Sequence, residues 1–327
     1  MNIIKYRVIP IAIALILLLA FAAIISNDIK RRDSRQSESS EQEEELESDG
    51  QSKTDVRGIL TVTCIDVGQG DATLIEYESN GEIHAMLIDG GYPEESSKIY
   101  SILEKRGIDH LDYMIATHEH ADHCGGLSGA LQYASVDHVY APVLESELVP
   151  YQIFCENLAS NGLRIEFPPV GDTITLGDAR VAFLGPIDGS EGMENPNNTS
   201  IVVKVTFGDT SFLFMADAER EEIEAMIEAD EDLSCDVIRT GHHGSDNATT
   251  YPLLYLAKAE YAVISCGNGN EYGHPHEGAL SKILQAGMKL YRTDLQGDII
   301  FKSDGQNIEV STEKETDSIS LWKPGTF

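Results

Sequence analysis

The segment THEHADHCGG, residues 117–126, places three histidines and an aspartate within six positions. In an extended or tightly turned chain, His118 and His120 project to the same side, while Asp122 and His123 can face a second point nearby. Neutral imidazole and carboxylate suit Zn²⁺, and carboxylate-rich sites also suit Mn²⁺. The spacing therefore predicts a site for two divalent metal ions, with Zn²⁺ favoured and Mn²⁺ as the alternative.

Two histidine pairs and three aspartates follow other strand-like runs in the same way. The histidine pairs lie in GHHGS, residues 241–245, and in YGHPH, residues 272–276. The aspartates are Asp66, Asp89 and Asp217. Sites are commonly assembled on loops at strand ends, so these side chains are candidates to join the metal loop, with Asp217 as a bridge between the metals. The alternatives are a turn whose histidines cap a helix for GHHGS, and a turn with surface imidazoles for YGHPH.

Strand-like and helix-like segments are mixed along the chain from Gly58 onward. ILTVTCIDV and HAMLID are typical of strands, and AEREEIEAMIEA is typical of a helix. IVVKVTF and SFLFMAD, joined by the turn Gly208-Asp209-Thr210, predict a hairpin. Hairpins combined with strand–helix alternation predict a layered α/β or α+β domain with at least two sheets.

The N-terminal part of the chain has a different composition. An apolar run from Val8 to Ile25 is just long enough for a transmembrane helix, and basic residues on both sides of it leave its orientation open. Ala20-Phe21-Ala22 is a candidate cleavage site, so a secreted protein with a cleaved signal peptide is the alternative to a single-pass anchor. The segment 33–57 is rich in Glu, Ser and Gln and predicts an acidic disordered linker. We expect a protein of the cell membrane with its catalytic domain on the extracytoplasmic side.

The chain is strongly acidic. Its 327 residues carry 55 Asp and Glu against 23 Lys and Arg, for a net charge of −32. Such a surface repels nucleic acid at long range and argues against tight nonspecific DNA binding. If the substrate is a phosphodiester, the local charge of the metals must overcome that field. The 5 cysteines form no CxxC pair, which excludes a zinc ribbon and a disulfide framework.

These motifs together resemble a known family. HxHxDH followed by Gly-Gly, an aspartate at a later strand end and a further histidine resemble the metallo-β-lactamase superfamily. IDVGQGDATLI, LIDGG, NNTSIVVKV and DVIRTGHHGS, in this order, are similar to the metallo-β-lactamase-like domain of ComEC-type competence (DNA-uptake) proteins and their stand-alone relatives. The resemblance implies an α+β fold, the αββα four-layer sandwich, preceded here by one hydrophobic helix and a disordered linker.

The resemblance and the composition divide the chain into four parts. They are an anchor or signal segment at 1–32, the acidic linker at 33–57, a metallo-β-lactamase-like hydrolase domain at 58–311 and a C-terminal tail at 312–327.

The resemblance implies metal ligands from three loops. They are His118 and His120 for the first metal, Asp122 and His123 for the second, Asp217 as the bridge, and His242 or His243 as the later histidine. His243 is the preferred member of that pair. Asp66 resembles the aspartate that braces the metal loop from behind.

The same resemblance implies residues around the substrate. The implied catalytic residues are Asp122, His243, His274 and His276, and the implied contacts with ligands or substrate include Asn198 and Ser245. Many superfamily members place a third histidine for the first metal where this chain has Asn197 and Asn198, as the ComEC-like branch also does. An amide oxygen binds zinc more weakly than imidazole, which favours a harder metal such as Mn²⁺.

The expected activity is that of a dinuclear metallohydrolase. A hydroxide bound by two metals would attack phosphorus or a carbonyl carbon, and a ComEC-like phosphodiesterase or nuclease reaction is favoured. The alternatives are hydrolysis of a lactone, a β-lactam or an envelope phosphoester, and a non-catalytic accessory module of a DNA-uptake or envelope assembly. The expected substrates are a phosphodiester, another small ester or a DNA end. The sequence does not identify protein partners, and a chain with one candidate span is not a DNA channel by itself.

Overall fold

A computed structural model describes residues 56–167, 170–187 and 194–325. Within these ranges the strands are β1 (Ile59–Cys64), β2 (Thr73–Ser79), β3 (Glu82–Ile88), β4 (His110–Ile115), β5 (Ser135–Tyr140), β6 (Ile165–Glu166), β7 (Thr173–Leu176), β8 (Ala179–Gly185), β9 (Val202–Phe207), β10 (Thr210–Phe214), β11 (Val237–Arg239), β12 (Tyr261–Ile264), β13 (Lys289–Arg292), β14 (Ile299–Ser303) and β15 (Ile308–Thr312). The α-helices are α1 (Ser96–Arg106), α2 (Ala121–Cys124), α3 (Leu127–Tyr133), α4 (Val149–Ser160), α5 (Arg220–Glu228), α6 (Tyr251–Ala257), α7 (Glu277–Gln285) and α8 (Thr293–Gln296).

The strands form two mixed sheets. The first has the order β15-β14-β1-β2-β3-β4-β5-β6, and the second has the order β13-β12-β11-β10-β9-β8-β7. The chain builds most of the first sheet, then the second, and returns to the first through β14, where Leu60 of β1 pairs with Ser303. The predicted hairpin between IVVKVTF and SFLFMAD is β9–β10, with Thr210 opposite Phe207.

Three apolar clusters fill the spaces between four layers. In β1, Leu60 and Val62 point into the core between the sheets, where they join Phe183 and Phe212 of the second sheet. A second cluster packs the outer face of the first sheet against α1, α3 and α4. A third packs the outer face of the second sheet against α5, α6 and α7. This arrangement is the predicted αββα sandwich, and the fold prediction is confirmed.

Parallel strands bring the loops of the site to one edge. β3, β4 and β5 are parallel neighbours in the first sheet, and β10, β11 and β12 are parallel neighbours in the second. The carboxyl ends of parallel neighbours meet at the same edge of a sheet. The loops that follow β3, β4, β10, β11 and β12 carry the histidines and aspartates singled out in the sequence, except Asp66, which follows β1.

The described part of the compact unit begins at Val56, two residues before the predicted boundary at 58. Val56 packs against the core between the sheets. The predicted C-terminal tail also returns to the domain, because Trp322 packs against the third cluster and Arg292 donates a hydrogen bond to the Leu321 carbonyl at 3.0 Å. The predicted anchor and nearly all of the predicted linker lie outside the described residues. Within the described ranges, no helix has the length and apolar character needed to cross a membrane.

Candidate metal centre

The loop between β4 and α2 places its histidines in one buried group. His118 is fully buried, and its Nε2 lies 3.0 Å from Nδ1 of half-buried His120. Asp122 and His123 follow in the first turn of α2, where the His123 ring lies beside that of His118 with centroids 4.1 Å apart. The four side chains of the motif therefore converge, as the spacing predicted.

Asp217 lies between the two halves of this group. It follows β10, after Ala216 has turned the backbone into the left-handed region with φ 46°. Its Oδ1 lies 3.3 Å from His123 Nε2, and its Oδ2 lies 3.9 Å from His118 Nε2. One buried carboxylate thus faces both positions, which is the geometry that a bridging ligand needs.

The GHHGS turn after β11 separates its two histidines. His243 is buried, with Nε2 at 3.2 Å from Asp122 Oδ2 and 3.6 Å from Asp217 Oδ2. His242 is partly exposed, with Nδ1 at 3.0 Å from Glu219 Oε1. His243 therefore lies with Asp122 and His123 around the second position. His242 lines the cleft beside them, and its Nε2 also comes within 3.8 Å of Asp217 Oδ2.

The buried polar atoms of this group fit a metal centre. Within the described residues, His123 Nε2, His243 Nε2 and Asp217 Oδ1 are buried without a hydrogen-bond partner. Buried polar atoms are rarely left unpaired, and these three are good ligands for a divalent cation. One candidate ligand group is His118, His120 and Asp217. The other forms around Asp122, His123, Asp217 and His243.

Asp71, His123 and His243 also lie close enough together to form a ligand set. That set uses the Nδ1 sides of the two rings. The Asp71 carboxylate already forms a bidentate ion pair with the buried Arg239 guanidinium. Because the Asp71 carboxylate is already paired with Arg239, the Nε2 side of the two rings is the better candidate for a metal, and Asp71 supports the His243 ring from behind.

Carboxylates behind the rings hold them in place. Asp89 Oδ2 lies 2.8 Å from His123 Nδ1, and the same carboxylate accepts hydrogen bonds from the Thr117 amide and hydroxyl at 2.8 and 2.7 Å. Asp71 Oδ1 lies 3.1 Å from His243 Nδ1, which also faces the Ser265 carbonyl at 3.1 Å. These contacts place a proton on each Nδ1, so that each Nε2 is directed at the metal position.

The electrostatic environment lowers the pKa of His118 and raises the pKa of His243. Burial lowers the pKa of His118 well below its usual range, and the His123 charge lowers it further. Burial also acts to lower the pKa of His243, but Asp217 and Asp71 outweigh it and raise this pKa to about 10. In the metal-free site His118 is therefore neutral, whereas His243 holds a proton that a metal ion must displace.

Comparison with known proteins identifies the family. The model of the metallo-beta-lactamase superfamily matches residues 65–268. The chain belongs to this superfamily. It is 28% identical over 261 residues to ComE operon protein 3 of Bacillus subtilis and 26% identical over 241 residues to competence protein ComA of Neisseria gonorrhoeae. These matches cover 74% and 73% of this chain but only 33% and 32% of the relatives, so the chain spans about a third of their length.

A solved structure supports the fold. The metallo-beta-lactamase fold protein YhfI of Bacillus subtilis superposes with a TM-score of 0.50 at 14% identity, covering 75% of this chain and 100% of that one. The predicted resemblance to the superfamily and to competence proteins is confirmed, and the chain is a metallo-β-lactamase-superfamily protein with residues that could hold divalent metals.

Asp66 does not have the predicted bracing role. Its Oδ1 accepts a hydrogen bond from Gly68 N at 3.2 Å, and its backbone amide donates to Asp298 Oδ1 at 2.9 Å. Asp66 and Asp71 both belong to the DVGQGD loop, residues 66–71, but Asp71 is the aspartate that reaches the histidines. The loop crosses the metal loop at Gly70, whose φ is 142°, and a Cβ there would collide with the Asp122 backbone. This glycine is the sequence signal for the close approach.

Of three residues predicted near the substrate, His274 lines the cleft, whereas His276 and Ser245 do not. His274 lines the cleft above the metal group, with its ring centroid 5.4 Å from that of His242. His276 Nδ1 instead accepts a hydrogen bond from Asp246 N at 3.2 Å, and Ser245 donates to Asn247 Oδ1 at 2.6 Å. His276 and Ser245 thus support the surrounding loops rather than face the metal group.

The two asparagines also differ. Asn198 Oδ1 accepts a hydrogen bond from the Glu219 backbone amide at 3.0 Å, so this side chain holds the loop after β10. Asn197 lines the cleft, donates to Glu219 Oε1 at 2.8 Å and leaves its own Oδ1 buried without a partner in the described residues. The amide that faces the site is therefore that of Asn197, whereas the sequence favoured Asn198.

A cleft of about 360 Å³ opens over the metal group. Its walls combine the ligands with residues that the sequence did not single out. The lining residues are Gln69, Tyr92, His120, Ala121, Asp122, Leu148, Asn197, Asp217, His242, His243, Tyr272 and His274.

Proposed function

We propose that this chain is a dinuclear metal-dependent phosphodiesterase. The observation that carries the proposal is the position of Asp217, a buried carboxylate shared by two ligand groups at the base of an open cleft. When bound there, two divalent ions would lower the pKa of a water molecule and neutralise charge on phosphate oxygens during an in-line displacement.

The protein side chains would orient the reactants. Asp122 is directed into the cleft, and its pKa is lowered to about 2, because the nearby His243 and His123 outweigh the effect of burial. It is therefore a carboxylate throughout the neutral range and can accept hydrogen bonds as well as bind a metal. The Asp71 and Asp89 carboxylates fix the rings of His243 and His123, so that little rearrangement is needed during turnover.

His274 would contact the substrate as a neutral ring. Burial, followed by the charges of His243 and His242, lowers its pKa to about 3. Its Nδ1 lies 3.4 Å from Gln69 Nε2, an amide that can only donate, so the ring proton is on Nε2. His274 can then donate a hydrogen bond to a phosphate or leaving-group oxygen. The proton that the leaving group takes up would come from a water molecule.

Two further observations support phosphodiester chemistry. One relative is named competence protein ComA, although this chain spans only about a third of its length. The cleft is open and polar at its base, which suits a tetrahedral phosphate held by two metals. We further propose that the segment 8–25 anchors the chain in the cell membrane, with the linker 33–55 placing the hydrolase domain on the extracytoplasmic side.

The test is metal content measured by mass spectrometry, together with hydrolysis of bis(p-nitrophenyl) phosphate with added Zn²⁺ or Mn²⁺. We expect about two metal ions per chain and turnover that is lost with a chelator. Asp122→Asn should lower turnover about 100-fold or more. Asp66→Asn is the matched control, because the Asp66 carboxylate contacts its own loop and does not line the cleft, and it should change turnover little. Bound metal without phosphodiester cleavage would contradict the proposal and favour another ester, an amide or an accessory module.

A further inference from the structure

No lysine or arginine is among the described residues that line the cleft. The whole chain carries a net charge of −32. Exposed Glu145 and Glu147 precede the lining residue Leu148 in the chain, and exposed Glu271, next to Tyr272, helps to raise the pKa of the lining residue Tyr92. A phosphate at the base would meet the positive charge of the metals, but a second phosphate beyond them would meet carboxylates. The charge pattern therefore favours a substrate with one phosphodiester charge.

Part of the cleft lining is aromatic and apolar. Tyr272 is 48% exposed, and its ring is stacked on His274 with centroids 5.7 Å apart and an interplanar angle of 21°. Tyr92 also lines the cleft, and its pKa is raised by burial and, in smaller part, by Asp122 and Tyr272. Leu148, 38% exposed, adds an aliphatic surface. Half-exposed aromatic rings at the mouth of a polar cleft are suited to stacking with a planar group.

Asn270 holds this part of the lining in a fixed position. The side-chain Oδ1 of this buried residue accepts hydrogen bonds from the amides of Tyr272 and His274 at 3.1 and 3.0 Å. Its Nδ2 donates to the Gly267 and His274 carbonyls at 2.8 and 2.6 Å. The loop that carries Tyr272 is thus preorganised, so a ring that stacks there meets a surface that is already ordered.

We propose that Tyr272 and Leu148 form a subsite for a planar aromatic group, and that the substrate is a small phosphodiester carrying a nucleoside or aryl group and a single negative charge. This inference rests on the proposed phosphodiesterase activity and specifies its substrate class. The cleft volume of about 360 Å³ lies at the small end of ligand sites and suits a group of this size.

The first experiment compares two esters with the same leaving group. They are the p-nitrophenyl ester of thymidine 5′-monophosphate and ethyl p-nitrophenyl phosphate. We expect Tyr272→Ala to raise KM for the thymidine ester, relative to KM for the ethyl ester, about 10-fold, which is the size of one base–aromatic stack. Tyr272→Phe should keep most of the preference for the thymidine ester. Tyr255→Ala is the matched control, because Tyr255 is a 77% exposed tyrosine of α6 outside the cleft lining. An unchanged ratio in Tyr272→Ala at normal metal content would overturn the subsite.

The second experiment varies substrate length and salt. We expect kcat/KM per bond for the thymidine dinucleotide to exceed that for a 20-residue oligothymidylate about 10-fold. We also expect KM for the dinucleotide to change less than about twofold between 50 and 200 mM salt. Preference for the oligomer with a steep salt dependence would overturn the single-charge inference and point to a nucleic-acid substrate.

The phosphodiesterase activity and the ring subsite are tested by different results. If no phosphodiester is cleaved while both metals are bound, the proposed function fails. If the esters are cleaved but Tyr272→Ala and Tyr255→Ala behave alike, the phosphodiesterase stands and the ring subsite is wrong.

Discussion

Replacement of Arg239 tests whether the buried support behind the metal centre stabilises the domain. Arg239 is 4% exposed and Asp71 is 2% exposed, and two contacts join the guanidinium to the carboxylate. Arg239→Met would leave Asp71 buried without its main partner, and breaking such a pair costs about 3–5 kcal/mol. His243 Nδ1, 3.1 Å from Asp71, offsets part of this loss, so we expect about 3 kcal/mol.

The assay is the thermal midpoint of the chelated protein by calorimetry. For a domain of this size, about 3 kcal/mol corresponds to a decrease in Tm of about 6–12 °C. Metal affinity should also fall about 10- to 100-fold, because the rings of His123 and His243 lose their support. Asp71→Asn combined with Arg239→Met should recover part of the loss, since the unpaired buried charge is removed.

The control is a neighbouring ion pair of similar composition. Lys204, in β9, pairs with Asp232 at 2.6 Å, but the Asp232 side chain is 73% exposed. Lys204→Met should therefore cost less than about 1 kcal/mol. If Arg239→Met is no more destabilising than Lys204→Met and leaves metal affinity unchanged, the supporting role assigned to the Arg239–Asp71 pair is refuted.

Three further predictions concern the metals and the domain. His120→Ala and His243→Ala should each lose about one metal ion per chain by mass spectrometry; retention of both ions by either variant would contradict the ligand assignment. Metal uptake by the chelated protein at pH 7 should release protons in calorimetric titrations in buffers of different ionisation enthalpy. The pKa of His243, raised to about 10, keeps its ring protonated until metal binds, so metal affinity should rise with pH up to that value and then level off. Removal of residues 1–55 should leave Tm and metal content unchanged, and unfolding on this truncation would place part of the core in the removed segment.

Residue patterns predicted a layered domain with two sheets and the main residues of the candidate site for physical reasons, whereas the four-layer sandwich was implied by the family resemblance. HxHxDH concentrates ligands in one loop, and strand-like runs before the other candidates place their loops at sheet ends. His118 and His123 could therefore be grouped without coordinates. The choice between His242 and His243 could not be made in this way, because adjacent residues in a turn point in different directions. Both positions have a left-handed backbone, with φ of 48° and 54°, and the structure buries His243 while His242 stays partly exposed.

The residues behind the ligands were harder to predict. Asp66 and Asp71 lie in one glycine-containing loop, and only its path across Asp122 shows that Asp71 faces the histidines. Arg239 carried a signal of its own, since a charge in the strand DVIRT implies a buried partner. The identity of that partner depends on contacts between residues 168 positions apart, which no local pattern contains.

The ligands are divided between the two sheets, and this division gives the metal a role beyond chemistry. The loop after β4 belongs to the first sheet, whereas Asp217 and His243 follow strands of the second. Ligand distances tolerate only a few tenths of an ångström, so a metal held by both loops would link the two sheets. A core substitution far from the cleft that shifted one sheet against the other would then lower metal affinity, and the metal content would report the alignment of the sandwich.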